Sequence, residues 1–316
     1  MAMLILALAL SGCGGGSGSG KRDGPVTYPA KIVFVSDRGY DPQTPPISPL
    51  GLNIFSMNYD GSDLKQLTTD TDGTNYCRPE LSPDNSKVVY VKMLPAGGKI
   101  EGLWVMNADG TGKNRIYTPS SNTWSIYPSW TPDGKIIFCN TNERKVYLTT
   151  ANGTIVAQIT FNIIESPLRV SPDGKKILTN LDSQIDIWDF DGASISHHTM
   201  VCSLGDFSVP SWSLDGAKII FAGNRTTDGG YGIFSINAAG PLFGFTPENN
   251  INNAARLTNC TESYGVNPVF SRDGAKIIFT DTGSNGDYEI FSINSDGGGK
   301  TNLTNNAAYD SFYDYD

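Results

Sequence analysis

Residues 127–138 read "YPSWTPDGKIIF". At its centre, "TPDG" is a tight-turn sequence: proline presets the second position, and Asp and Gly suit the positions after it. The run that follows, Lys135 to Phe138, is apolar and β-branched, as a strand buried on both faces requires. The stretch recurs. "LSPDN" at 81–85, "SPDG" at 171–174, "SLDG" at 213–216 and "SRDG" at 271–274 are variants of the same turn. Their tetrapeptides start at 82, 131, 171, 213 and 271, at spacings of 49, 40, 42 and 58 residues.

Two further markers keep step with the turn. "QLT" at 66–68, "IYT" at 116–118, "QIT" at 158–160, "HHT" at 197–199, "RLT" at 256–258 and "NLT" at 302–304 close successive units. Between turn and close lie "NIFSMN", "GLWVMN", "KVYLTT", "IDIWDF", "GIFSIN" and "EIFSIN". Each unit reads as four strands, with a second hairpin such as "NYDGS" (58–62) or "NADGT" (107–111) before the last. A four-stranded repeat of about 40–50 residues predicts an all-β chain folded as a β-propeller. The markers count six blades. The first has no segment ahead of its apolar run at 31–36, while the chain continues past its last "LT". Strand Ala308 to Tyr315 is therefore expected to supply the inner strand of blade 1, close the ring and remove its open edges.

The signature, "P-x-W-[ST]-P-D-G" with "I-[FY]-x-M-[ND]-x-D-G" and "L-T", resembles the TolB-like, or PD40, branch of propeller repeats. The resemblance covers about residues 30 to 316. Blade 4 departs most, with Leu168 at the Pro position and Val170 at the Trp position. The resemblance implies a non-catalytic interaction module of the bacterial cell envelope. The family's namesake is soluble in the periplasm and carries an additional N-terminal α/β domain. Here about 16 residues separate Cys13 from blade 1, so the expectation is a relative with one folded domain.

The N-terminus gives the anchoring expectation. Met1 to Leu10 is apolar throughout, long enough for a signal-peptide core and too short to span a bilayer. "LSGC" at 10–13 then resembles a bacterial lipobox, although no Lys or Arg precedes the apolar run. The predicted organisation is a signal peptide at 1–12, a lipidated Cys13 with a Gly/Ser tether to residue 29, and a propeller at 30–316. Gly14 stands where enteric bacteria use Asp for inner-membrane retention, which points to the outer membrane. The net charge of −9 argues against nucleic acid and against membrane contact other than through a lipid.

Catalytic chemistry is hard to find. The two histidines, His197 and His198, are adjacent on an outer strand and should face opposite ways. No G-x-S-x-G occurs. "DFDG" at 189–192 looks like the start of a calcium loop, but the same turn recurs in other blades, so hairpin geometry accounts for it. Cys139 sits at a packing position, and Cys202 and Cys260 at equivalent points of adjacent blades are expected to lie too far apart to bridge; Cys77 completes the set, and no disulfide is expected. No catalytic residue, metal or cofactor is predicted. The favoured reading is a monomeric envelope protein that binds a protein or peptide. The alternative is a carbohydrate-binding propeller or a glycoside lyase or hydrolase, recognisable by carboxylates from different blades converging at one channel mouth with raised pKa values.

The loops joining second and third strands vary in length and are long in blades 5, 6, 1 and 2, a crescent on one face. At the axial side of that face the entries to the inner strands carry Tyr76, Trp124, Phe207, Tyr264 and Tyr309, with Asp206, Glu262 and Asp310 beside them. Aromatic anchors with an acidic rim predict a site for a segment bearing Lys or Arg, and aromatics also suit sugars.

Overall fold

The computed structural model describes residues 31–38, 51–70, 73–95, 99–120, 126–161, 167–181, 184–203, 209–225, 230–238, 254–261 and 265–312. They form six four-stranded antiparallel sheets arranged as a six-bladed β-propeller. Blade 1 is β1 (Lys31–Ser36), β2 (Asn53–Asn58) and β3 (Lys65–Gln66). Blade 2 is β4 (Asn75–Leu81), β5 (Lys87–Met93), β6 (Ile100–Asn107) and β7 (Asn114–Tyr117). Blade 3 is β8 (Ile126–Trp130), β9 (Lys135–Asn140), β10 (Lys145–Thr150) and β11 (Ile155–Thr160). Blade 4 is β12 (Arg169–Val170), β13 (Lys176–Leu181), β14 (Gln184–Phe190) and β15 (Ile195–Ser203). Blade 5 is β16 (Ser211–Trp212), β17 (Lys218–Arg225), β18 (Gly230–Asn237) and β19 (Ala255–Asn259). Blade 6 is β20 (Val269–Phe270), β21 (Lys276–Thr282), β22 (Tyr288–Asn294) and β23 (Thr301–Asn302). The last strand, β24 (Asp310–Ser311), pairs with β1 as the inner strand of blade 1.

Each sequence marker has a physical role. In all five first hairpins the Ser or Thr hydroxyl donates to the Asp two residues on, at 2.5 to 2.6 Å. The same hydroxyl accepts the backbone N–H of the Lys that opens the next strand, at 2.8 to 3.0 Å. These bonds hold the carboxyls of Asp84, Asp173, Asp215 and Asp273 below the ordinary range. The second strand and the marker strand then pair aromatic on aromatic across the ladder: Phe34 on Phe55, Phe221 on Phe234 and Phe279 on Phe291, with ring centroids 5.8 to 6.0 Å apart. Phe34, Phe138, Phe221 and Phe279 have no exposed surface, so the second strands are buried on both faces as their apolar runs require.

The "DG" and "LT" markers meet each other. The turn glycine of one blade lies against the backbone of the closing strand of the blade before it. A Cβ at Gly110 would come within 2.9 Å of the Leu67 carbonyl oxygen, at Gly153 within 2.9 Å of that of Ile116, and at Gly61 within 2.7 Å of that of Leu303. These glycines also have positive φ. The turn carboxylates are used inside the turns: Asp60, Asp109 and Asp296 each accept the N–H two residues on, and Asp191 accepts from Ala193 and Ser194. In the "DFDG" segment Asp191 is thus used inside its own turn, and Asp189 pairs with Lys176 at 3.0 Å.

Two expectations change in detail. The outer strand carrying His197 and His198 is irregular: a bulge between the pairs Trp188–His198 and Asp189–Ser196 leaves His197 out of the ladder at φ 39°. Both are exposed, and His198 stacks on Trp188 with centroids 4.6 Å apart. The closing strand, expected over 308–315, has its ladder at Asp310–Ser311, and residues 313–316 lie outside the described part. Cys77, Cys139 and Cys260 are free thiols. Cys139 packs in the core between blades 3 and 4, where burial pushes its thiol up to about 12.

Candidate functional site

The inner strands surround a central channel with a cavity of about 390 Å³. Inner strands are short, two residues in blades 4, 5 and 6, so their side chains and the turns that follow them make most of the wall. The second residue of the first hairpin lines the cavity in every blade that has one: Pro83, Pro132, Pro172, Leu214 and Arg272. The cavity therefore opens toward the face of these turns. Leu214 is half exposed there.

The wall has a charged side and an apolar side. On the charged side Glu80 of blade 2 accepts the Trp130 N–H at 3.0 Å and the Ser129 hydroxyl at 3.2 Å, both from blade 3, and pairs with Arg169 of blade 4. One carboxylate thus ties three consecutive blades. The register of β4 jumps between Cys77 and Glu80, and Arg78 there takes a left-handed conformation at φ 54°. Its guanidinium lies 4.2 Å from the Tyr127 ring centroid. The apolar side is built from Val209, Trp212, Val269 and Phe270, with Phe312 next to the closing strand. The signature tryptophans lock strand to strand: Trp130 Nε1 donates to the Glu80 carbonyl and Trp212 Nε1 to that of Arg169, each at 2.9 Å. The intervening blades carry Leu81, Val170 and Phe270 at the same position.

Blade 1 has no first hairpin, because its inner strand comes from the other end of the chain. Arg272 spans the gap. Its guanidinium donates to the carbonyls of Leu81, Ser82 and Pro83 in blade 2 at 2.6 to 3.0 Å, and its backbone N–H donates to the Tyr59 hydroxyl of blade 1 at 2.9 Å. At the opposite face Arg38 lies over Phe34 and Phe55 and pairs with Asp310 at 2.6 Å. Asp37 accepts the Tyr309 N–H at 2.8 Å, and Glu289 accepts the Asn306 N–H at 2.8 Å. Burial, with the nearby Asp310 charge, pushes the carboxyls of Asp37 and Glu289 above their usual range. Carboxylates from two blades do meet here, but Asp310 has 0% and Glu289 1% of its surface exposed, and their bonds hold the closing segment. They form a seam rather than an open acid–base pair.

Of the residues singled out for the loop face, Trp124, Phe207, Tyr264, Asp206 and Glu262 lie outside the described part, as does Cys13. Tyr76 is buried in the core shared by blades 1 and 2, with its hydroxyl on Asp70. Asp310 is in the seam. Tyr309 is half-buried, packed edge-to-face on Tyr288 with centroids 5.4 Å apart. Tyr309 and Asp310 are neighbours in the closing segment, and Tyr309 packs on the same core as Tyr76. Sequence reasoning missed Arg78, Glu80, Arg169 and Arg272. The signal for Arg272 was its place in "SRDG", where the other turns carry Pro or Leu; Glu80 and Arg169 occupy the Ser position of "PSW".

Six four-stranded blades closed by β24, around a channel with a charged side and an apolar side, define a six-bladed β-propeller. More particularly, in its repeat signature and in its fold the chain is similar to TolB proteins. It is 29% identical over 152 residues to a Protein TolB homolog of Chlorobium luteolum, a match spanning 47% of this chain and 30% of that protein's length. Its fold is similar to a crystal structure of TolB from Acinetobacter baumannii, with a TM-score of 0.67 at 19% identity, over 90% of this chain and 65% of that one. The structure of a putative TolB from Agrobacterium tumefaciens aligns with a TM-score of 0.55 at 17% identity, over 89% of each chain. No family model matches the chain.

Proposed function

We propose that this chain is a non-catalytic propeller of the bacterial cell envelope that holds a segment of a partner protein in the turn-side mouth of its channel. The observation that carries the reading is the cavity itself: apolar turn residues and arginines around one lining carboxylate among the described residues, Glu80, which is engaged by Arg169, Ser129 and Trp130. General acid–base chemistry on a sugar needs two available carboxyl groups. A cavity of this size, with a few fixed polar groups in an apolar wall, suits recognition. The TolB-like family and the expected lipid anchor support the envelope setting.

The test compares the two faces. Leu214→Glu places a charge on the exposed rim of the channel. Trp124→Ala and Tyr264→Ala, with deletion of Thr44 to Ser48, disable the loop face. Quantitative affinity capture from the protein's own envelope extract should lose its specific partner with the rim variant, by about tenfold or more, an affinity change of ~1.4 kcal/mol. It should keep that partner with the loop-face variants. The opposite pattern moves the site to the loop face, where the half-exposed Tyr288–Tyr309 pair is the observation favouring that second reading. In that reading Tyr309 and the other loop-face aromatics take a basic segment or a glycan.

Anchoring is tested separately. Mass spectrometry of the mature protein should find an N-terminus at Cys13 carrying acyl chains, in the outer-membrane fraction. An intact Met1, or an unmodified Cys13 thiol, removes the lipid anchor from the proposal.

A further inference from the structure

The seam that closes the ring crowds like charges. At the loop face Asp37 follows β1, Asp287 precedes β22, Glu289 lies on β22 and Asp310 on β24. The charges of Asp310 and Asp287 act on Asp37, and that of Asp310 acts on Glu289. Among the described residues one cation acts on this group: Arg38, paired with Asp310 Oδ2 at 2.6 Å. Glu289 and Asp310 are buried, so solvent and salt screen little of the repulsion. Asp37 accepts the Tyr309 N–H, Glu289 accepts the Asn306 N–H and the Thr304 hydroxyl, and Asp310 Oδ2 also accepts from the Asn306 amide at 2.7 Å. Asp310 Oδ1, equally buried, has no donor. A buried acceptor left empty is costly, and an ionised carboxyl group cannot serve it. A protonated one can, because it carries an O–H.

We propose that the seam is a proton-operated latch. In mild acid Asp37 and Glu289 take up protons from solvent, which removes their repulsion from Asp310, supplies O–H donors the group otherwise lacks and tightens the closure of the ring; neutral and alkaline pH reverse this. Asp37 is half-buried, so solvent reaches the group there. Burial, and then the Asp310 charge, raises both carboxyls above the ordinary range. A carboxyl raised in the folded state stabilises the fold below its unfolded value of ~4, and that stability is lost as pH rises through the folded value. The turn carboxyls of Asp84, Asp173, Asp215 and Asp273 have the opposite sign. Held below the range, they stabilise the fold above ~4 and give that up as pH falls through their lowered values. The seam therefore tightens in a mildly acidic window where the turns are still intact. Only the closure is involved, so the latch does not depend on what the channel binds.

Thermal melting of the full chain between about pH 8 and about pH 4.5 tests the latch, since linkage makes the midpoint follow proton uptake. Glu289→Gln and Asp37→Asn keep the shape of the side chain and imitate its protonated form. At about pH 8 each variant should melt above the native protein, by about 2 °C or more. The gap should close toward about pH 4.5, as the native carboxyls take up their protons. Hydrogen exchange of the native protein, corrected for its intrinsic pH dependence, localises the effect: residues 305–312 should gain protection over the same range relative to β9 and β10 of blade 3. Variants that melt below the native protein at about pH 8 overturn the latch, as does a gap that is the same at every pH. Should either amide variant fail to fold, the native exchange still decides, because unchanged relative protection of residues 305–312 overturns the proposal.

Discussion

Removing Ala308 to Asp316 should unfold the ring as a cooperative unit rather than merely trim it. The segment contributes Asp310 and Ser311 to the β1 ladder, opposite Ser36 and Val35. It also supplies Tyr309 to the core between blades 1 and 2, and Phe312 to the core between blades 6 and 1. Asp310 is fully buried and its partner Arg38 keeps only 19% of its side-chain exposure. Removing one member of such a pair costs about 3–5 kcal/mol. Together with the lost apolar contacts, the penalty is comparable to the whole stability of many domains, about 5–15 kcal/mol. Chemical denaturation should therefore show a collapse of the midpoint, or a chain already unfolded in buffer. A truncated protein that unfolds at the midpoint of the full one would mean that β24 does not close the ring.

The seam is closed at both faces by side chains the repeat does not predict. Asp310 and Arg38 hold the loop-face end; Arg272 and Tyr59 hold the turn-face end. Their need follows from topology. Five blades carry a covalent hairpin between first and second strands, and blade 1 has a chain break there. Arginine, with several donors on one planar group, spans the gap by binding three consecutive carbonyls of the next blade.

Much of this fold was legible because its signals are local and repeated. The Ser or Thr of the first hairpin, the turn glycine and the paired aromatics each satisfy a geometric need within a few residues, and each recurs in most blades. Even the missing inner strand of blade 1 could be inferred by comparing units. The channel was less legible for the opposite reason. Arg78, Glu80, Arg169 and Arg272 are single departures from the repeat, and they meet only because the ring brings residues as far apart as Glu80 and Arg169 into contact. Tyr76 shows the converse error. An aromatic at a strand entry faces outward or into the next blade depending on twist and register, and here it packs inward against Tyr90 with centroids 5.7 Å apart. A bulge likewise takes His197 out of the ladder, and a two-residue alternation pattern does not mark bulges.

The interlock between "DG" turns and "LT" closures predicts a difference between two outwardly equivalent substitutions. Gly297 and Gly192 occupy the same turn position in blades 6 and 4, with φ of 95° and 88°. Alanine at either meets similar backbone strain, since L-residues disfavour positive φ. Their surroundings differ. A Cβ at Gly297 would sit 2.2 Å from the Leu257 carbonyl oxygen and 2.9 Å from its carbon, whereas nothing lies within 4 Å of one at Gly192. The Leu257 obstacle is backbone of the neighbouring blade, so it cannot rotate away as a side chain would. Gly297→Ala should thus be the more destabilising by the ~1–3 kcal/mol typical of overpacking, on top of the strain the two share. Urea denaturation of both variants measures the difference directly. Equal losses would reduce the recurrent glycine to a requirement of hairpin conformation alone, and the "LT" marker would need another cause.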